Sequence, residues 1–204
     1  MNSISITAHA PRHTAYRAGP QLTAAQWGML AFLLSEVAFF STLIVTYLSF
    51  MGEDRVGPTP REALSLPLVI ATTICLLSSS VTIHFAGRKV GTPAFARWWS
   101  LTIALGAIFL LGTGYEWHEL IEKHHLTISR NLFGTTYYTL VGFHGLHVTI
   151  GIIAMAAVLA FERVYKLRAV DHAPIELVSW YWHFVDAVWI VVFAVVYLVS
   201  RYGV

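Results

Sequence analysis

The chain has 204 residues, of which 56% are hydrophobic and 12% charged, with a formal net charge of +2. Soluble domains carry charge on roughly a quarter of their residues, so this composition describes a membrane protein without a separate soluble catalytic or nucleic-acid-binding domain. The lone Cys75 excludes an internal disulfide and any copper or zinc site built on two thiolates, and reads as a small core residue.

Residues 1–25 read as a polar cytoplasmic tail with Pro11 and Pro20. They lack the apolar stretch of a cleavable signal, so insertion is expected to depend on the first span itself. Five apolar blocks follow, at about 26–50, 65–86, 98–121, 134–161 and 177–200, each close to the roughly 20 residues that cross about 30 Å of hydrocarbon. An isolated apolar run satisfies its backbone in lipid only as a helix, and these runs lack the alternation of barrel strands. The predicted fold is therefore all-α, a five-transmembrane-helix bundle forming one membrane domain over 26–204. The breakers fall between the blocks: Gly57, Pro58 and Pro60 after the first, Gly91 and Pro93 after the second, Pro174 before the fifth.

Orientation follows from the cations on alternate sides. Arg12, Arg17, Arg88, Lys89, Arg97, Arg163, Lys166 and Arg168 share one side, while Arg55, Arg61, Lys123, Arg130 and Arg201 share the other. The excess on the first side predicts a cytoplasmic N-terminus and an external C-terminus.

An ionisable group at bilayer depth needs a partner, a wet cavity or a neutral form. Glu36 lies about ten residues into the first span, close to mid-membrane at 1.5 Å per residue. His144 and His147 reach a similar depth in the fourth span and, three apart, share one helix face; His183 and Asp186 repeat that spacing in the fifth. His84, Glu116, Glu119 and Glu122 read as span-end groups that reach headgroups or water. A di-iron bundle needs two Glu-x-x-His elements plus two more Glu, and no histidine follows Glu119 at that interval. Bis-histidine haem at His144, His147 and His183, and a proton path starting at Glu36, are weaker readings than mutual hydrogen bonding that fixes helix packing or holds lipid. Glu36 is expected to bond His147 or His144, and His183 with Asp186 to form a second polar cluster touching a phospholipid headgroup. Gly142, Gly145 and Gly151 in the fourth span, and Gly106, Gly112 and Gly114 in the third, mark close backbone approach. Trp180, Tyr181, Trp182, Phe184 and Trp189 read as an interfacial aromatic belt running into a helix face.

Four ordered strings carry a more specific signal. GFHGLHVTIG (Gly142 to Gly151) and SWYWHFVDAVW (Ser179 to Trp189) together resemble the signature of subunit III of haem-copper oxidases, the cytochrome c oxidase family. SEVAFF (Ser35 to Phe40) resembles that family's first shared span with its buried glutamate, and YEWHE followed by TISRNLFGTTYY resembles the stretch joining the next helices. The resemblance runs from about Trp27 to Arg201 and is to the five-helix bacterial form, which lacks the first two helices of the seven-helix type.

The resemblance implies a non-redox accessory subunit of a terminal oxidase in an aerobic respiratory chain, multi-pass in the bacterial cytoplasmic membrane, where electrons from cytochrome c reduce oxygen to water with proton pumping. It implies no catalytic residue, metal, haem or copper in this chain, those centres belonging to partner subunits I and II. It also implies direct packing on subunit I, contact with subunit II and further respiratory subunits, and bound phospholipid. Glu36, His144, His147 and Glu116 match buried polar positions that stabilise the bundle and support proton uptake, while His183, Asp186 and Trp182 are the lipid-binding candidates. Related readings are a quinol oxidase subunit III and the protein associated with nitric oxide reductases. A free-standing haem b or proton-translocating protein is the reading from another class.

Overall fold

A computed structural model describes residues 22–53, 64–165 and 172–200. The described residues form α1 (Ala24–Ser49), α2 (Leu66–Gly87), α3 (Pro93–His124), α4 (Leu132–Tyr165) and α5 (His172–Phe193), the last continued by a π-helical turn, Ala194–Val199. All five are long and apolar enough to cross a membrane. Residues 1–21, most of the predicted tail, lie outside the described residues, as do Gly57, Pro58, Pro60 and seven of the cations used for orientation (Arg12, Arg17, Arg55, Arg61, Lys166, Arg168, Arg201).

The helix ends follow local chemistry rather than hydropathy. Thr23 caps α1: its hydroxyl accepts from the Gln26 amide and the Gln26 side chain accepts from the Thr23 amide, satisfying two N–H groups that the first turn leaves free. The turn from α2 to α3 places Gly91 at φ +79, a conformation that favours glycine. Pro93 then starts α3 instead of merely ending the second block, because the first helical position needs no N–H partner. Pro174 likewise lies inside the first turn of α5 and not before it. Helices α3, α4 and α5 thus begin earlier than the apolar blocks, and α3 and α4 also end later. Polar turns lengthen a helix past the hydrocarbon at no backbone cost, so hydropathy marks the crossing and not the helix.

Successive described helices run antiparallel. Thr82 pairs with Thr102 across α2 and α3, and the Trp99 indole N–H of α3 reaches the Met155 carbonyl of α4. Helix α5 is the central strut, touching α1, α2 and α4 and seating Trp182 and Trp189 in the core. Helix α1 is the most peripheral: only Phe40 and Tyr47 on it are buried, and Trp27, Leu34 and Val45 face outward. Cys75 is half-buried on α2.

Candidate functional site

Many span hydroxyls bond a carbonyl one turn back on their own helix, while the ionisable side chains Glu36, Glu116, His147 and Asp186 reach residues of other helices. In the middle of α1, Glu36 Oε2 lies 3.0 Å from His147 Nε2 on α4. The other ring nitrogen, Nδ1, is 2.7 Å from the Phe143 carbonyl one turn back. A carbonyl only accepts, so Nδ1 carries the hydrogen and donates it there. The Glu36–His147 contact then holds a single proton, written either as a carboxyl O–H donating to Nε2 or as an imidazolium N–H donating to a carboxylate. Both forms leave the pair neutral overall, which is what a hydrocarbon surrounding tolerates.

Two further bonds hold α1 to α5. Gln26 Nε2 donates to Glu176 Oε1 at 3.1 Å near one end, and the Tyr47 and Ser200 hydroxyls meet at 2.7 Å near the other. Positions 26, 36 and 47 are about three helical turns apart, so the three contacts lie along one face of α1. A helix with so little buried apolar surface is thereby fixed in height and rotation by polar contacts.

His144 does not share the Glu36 contact. Its ring is fully buried, stacks on Trp189 at 4.8 Å and meets the edge of Phe109. Neither ring nitrogen has a hydrogen-bond partner among the described residues. One turn separates His144 from His147, yet the first points into the α3–α5 core and the second towards α1.

Glu116 differs most from its expected place at a span end. It is buried, and its Oε2 accepts from the Tyr137 hydroxyl at 3.2 Å and the Tyr197 hydroxyl at 2.8 Å. The reason is helix length: α3 continues to His124, so Glu116 lies two turns inside its end and faces α4 and the π-helical turn. Glu119, one turn nearer that end, pairs with Lys123, and Glu122 is exposed.

His183 and Asp186 meet through a residue that periodicity did not single out. Ser80 on α2 donates to Asp186 Oδ2, and its oxygen lies 3.1 Å from His183 Nδ1. Asp186 is buried, whereas His183 is exposed. Trp182 corrects the expectation that its ring meets lipid: it is fully buried, lies against Gly106 and Gly151, and donates its indole N–H to Ser79 at 2.8 Å. Trp189 does the same with Thr73 at 3.0 Å. These tryptophans are core anchors rather than an interfacial belt: Trp182 fills a notch left by Gly106 and Gly151, and Trp189 packs on Phe109 and His144. Ser79, Ser80, Thr73, Tyr137 and Tyr197 were all missed in sequence; the one available signal was Ser and Thr inside an apolar run. Among the described residues no group of three or more His, Cys, Asp or Glu could hold a metal ion.

The family model for cytochrome c oxidase subunit III matches residues 12–201. The chain is 35% identical over 197 residues to cytochrome c oxidase subunit 3 of Corynebacterium diphtheriae, covering 94% of this chain and 95% of that protein. It is 37% identical over 177 residues to the probable cytochrome c oxidase subunit 3 of Nocardia farcinica, covering 84% and 86%. It is 34% identical over 179 residues to the cytochrome c oxidase subunit 3 of Thermostichus vulcanus, covering 86% and 87%.

Proposed function

The chain belongs to the cytochrome c oxidase subunit III family, and from that premise we propose that it is a non-catalytic wall for the redox core of its oxidase. As a family member it is a multi-pass membrane subunit of a multi-subunit haem-copper oxidase. In our reading it packs directly on subunit I, with subunit II and further respiratory subunits nearby, and haem and copper reside in subunits I and II. It supports proton uptake by the core without supplying a redox centre. The membrane is the bacterial cytoplasmic membrane, with the N-terminus inside and the C-terminus outside.

The observation that carries this reading is the Glu36–His147 bond. Two groups of the kind that could bind a metal or move protons are instead turned on each other, and the contact joins the peripheral α1 to the rest. Glu116 and Asp186 support it, each held by hydroxyls of neighbouring helices. Of the lipid candidates, His183 alone is outward-facing, so the lipid contact centres on it.

The test is to tag this chain in its host membrane and isolate it in mild detergent. Co-purification of a haem- and copper-bearing oxidase core is expected, together with no Soret band once the chain is separated from that core. A stoichiometric Soret band on the separated chain would overturn the proposal in favour of a free-standing haem protein. Whether the core oxidises cytochrome c or quinol follows from the other chains in the same preparation.

A further inference from the structure

Two phenols share one buried carboxylate oxygen. Tyr137 of α4 donates to Glu116 Oε2 at 3.2 Å and Tyr197 at 2.8 Å, and the two hydroxyl oxygens lie 3.3 Å apart. The Ser65 backbone N–H adds a third donor. Every described partner of the carboxyl is thus a donor, which leaves it able to take a proton. Glu116, Tyr137 and Tyr197 are all buried, so bulk water does not compete for that proton. Tyr197 stands on the π-helical turn, a rare local structure that is frequent at functional sites.

Aromatic rings lead away from this pair on both sides. Between ring centroids, Tyr197 lies 6.3 Å from Trp189, Tyr137 lies 5.3 Å from Tyr138, and Tyr138 lies 5.1 Å from Trp117. Trp117 is half-buried, two turns before the end of α3. Its indole N–H has no partner among the described residues, and Tyr138 donates to the Leu126 carbonyl, a very weak base. Neither ring can hand on its proton, so loss of an electron from either leaves a charged radical in apolar surroundings, which is costly. At Tyr137 or Tyr197 the proton crosses one hydrogen bond to Glu116 as the electron leaves. The products there are a neutral phenoxyl radical and a neutral carboxylic acid, so an electron vacancy entering the ring chain settles on this pair.

We propose that Tyr137, Tyr197 and Glu116 form a redox-active tyrosine site, fed through Trp117 and Tyr138 and oxidised by oxygen-centred radicals. The radical takes one electron from Trp117, leaves as its anion and is protonated by water. Trp117 regains an electron through Tyr138 from Tyr137 or Tyr197, whose O–H bond breaks as an O–H bond forms on Glu116 Oε2. An aqueous thiol or ascorbate-type reductant then returns one electron through Trp117, the proton goes back to the phenol, and the chain is restored. The site needs an oxidant and the ring chain only, so it stands or falls apart from the packing on subunit I.

The test is flash oxidation of the full chain in nanodiscs by a ruthenium polypyridyl photosensitiser with an irreversible electron acceptor, read by electron paramagnetic resonance. A tyrosyl signal with one hydrogen-bonded proton, resolved by electron–nuclear double resonance and insensitive to bulk pH, is expected on the wild type. Tyr137→Phe and Tyr197→Phe should each keep that signal, because the remaining phenol still bonds Oε2, and the double variant should lose it. Glu116→Gln should also lose it, since an amide oxygen does not keep a proton, and Trp117→Phe should lower its yield. Tyr115→Phe, at an exposed residue outside the chain, should leave it unchanged. A wild-type signal without the hydrogen-bonded proton overturns the proposal, and this measurement needs no variant. So does the same signal persisting in Glu116→Gln shown to be folded by its thermal melt, or disappearing in Tyr115→Phe.

Discussion

His147 divides its two nitrogens between two helices: Nδ1–H is donated to the Phe143 carbonyl on its own helix, and Nε2 meets Glu36 of α1 at 3.0 Å. Because the first bond fixes the tautomer, the second holds one proton, and a neutral donor should serve there as well as a carboxyl. Glu36→Gln is therefore expected to keep most of the stability of the bundle, whereas Glu36→Ala should lose about 1 kcal/mol, near the average for interhelical polar contacts in membranes. Thermal unfolding in detergent checks this; equal losses in the two variants would mean that the contact requires a carboxylate.

A double-mutant cycle of Glu36→Ala with His147→Ala should give a coupling of about 0.6–1.7 kcal/mol. The same cycle with His144→Ala should give a value near zero, because His144 stacks on Trp189 and has no polar link to α1. Chemical unfolding of the four proteins in each cycle measures both couplings.

His144 and His147 should respond oppositely to an apolar replacement of similar shape. His144→Phe leaves no hydrogen bond broken and keeps a ring against Trp189, so a change within about 1.5 kcal/mol is expected, as for a volume-conserving core swap. His147→Phe leaves Glu36 without its partner in the membrane and should cost more, about 2 kcal/mol, as for a polar group left unsatisfied. A larger loss at His144 would show that its ring nitrogens carry a structural bond.

Trp182 fills the notch between Gly106 and Gly151, and a Cβ on Gly151 would lie 2.7 Å from its ring. Gly151→Ala should accordingly destabilise by about 1–3 kcal/mol through overpacking, and Trp182→Ala by about 3–5 kcal/mol through the cavity it leaves. Combining Gly151→Ala with Trp182→Phe should recover part of the first loss. Thermal melts of the wild type, the three variants and Trp182→Phe alone decide it, and strict additivity of Gly151→Ala with Trp182→Phe would count against the notch.

Tyr197 reaches Glu116 from the π-helical turn, and Tyr137 reaches the same oxygen from α4. Removing one donor leaves the other, so Tyr197→Phe and Tyr137→Phe should each cost about 1–2 kcal/mol. The double variant should cost more than either single change, since it leaves the Glu116 carboxyl with the Ser65 backbone N–H as its remaining donor. The measurement is again unfolding in detergent, with assembly into the oxidase as a second readout.

The amino-acid sequence by itself determined the class of fold and the family. Five apolar blocks can meet their backbone needs in lipid only as helices, and four ordered motifs around Glu36, Glu116, His144 and Asp186 are local strings that survive without knowledge of packing. It also pointed to Glu36 and an imidazole of the fourth span, because a mid-membrane carboxyl demands a partner. Which imidazole it meets is a matter of how α4 is rotated against α1 and α5, and that is a tertiary decision: three residues along a helix change the facing direction by about 60°. For the same reason Glu116 moved from a span end to the core, Trp182 from lipid to a glycine notch, and Ser80 entered as the link between His183 and Asp186. Hydropathy measures the transfer of a residue out of water and is silent on whether its neighbour is a lipid chain or another helix, so only the packed bundle separates fasteners from surface.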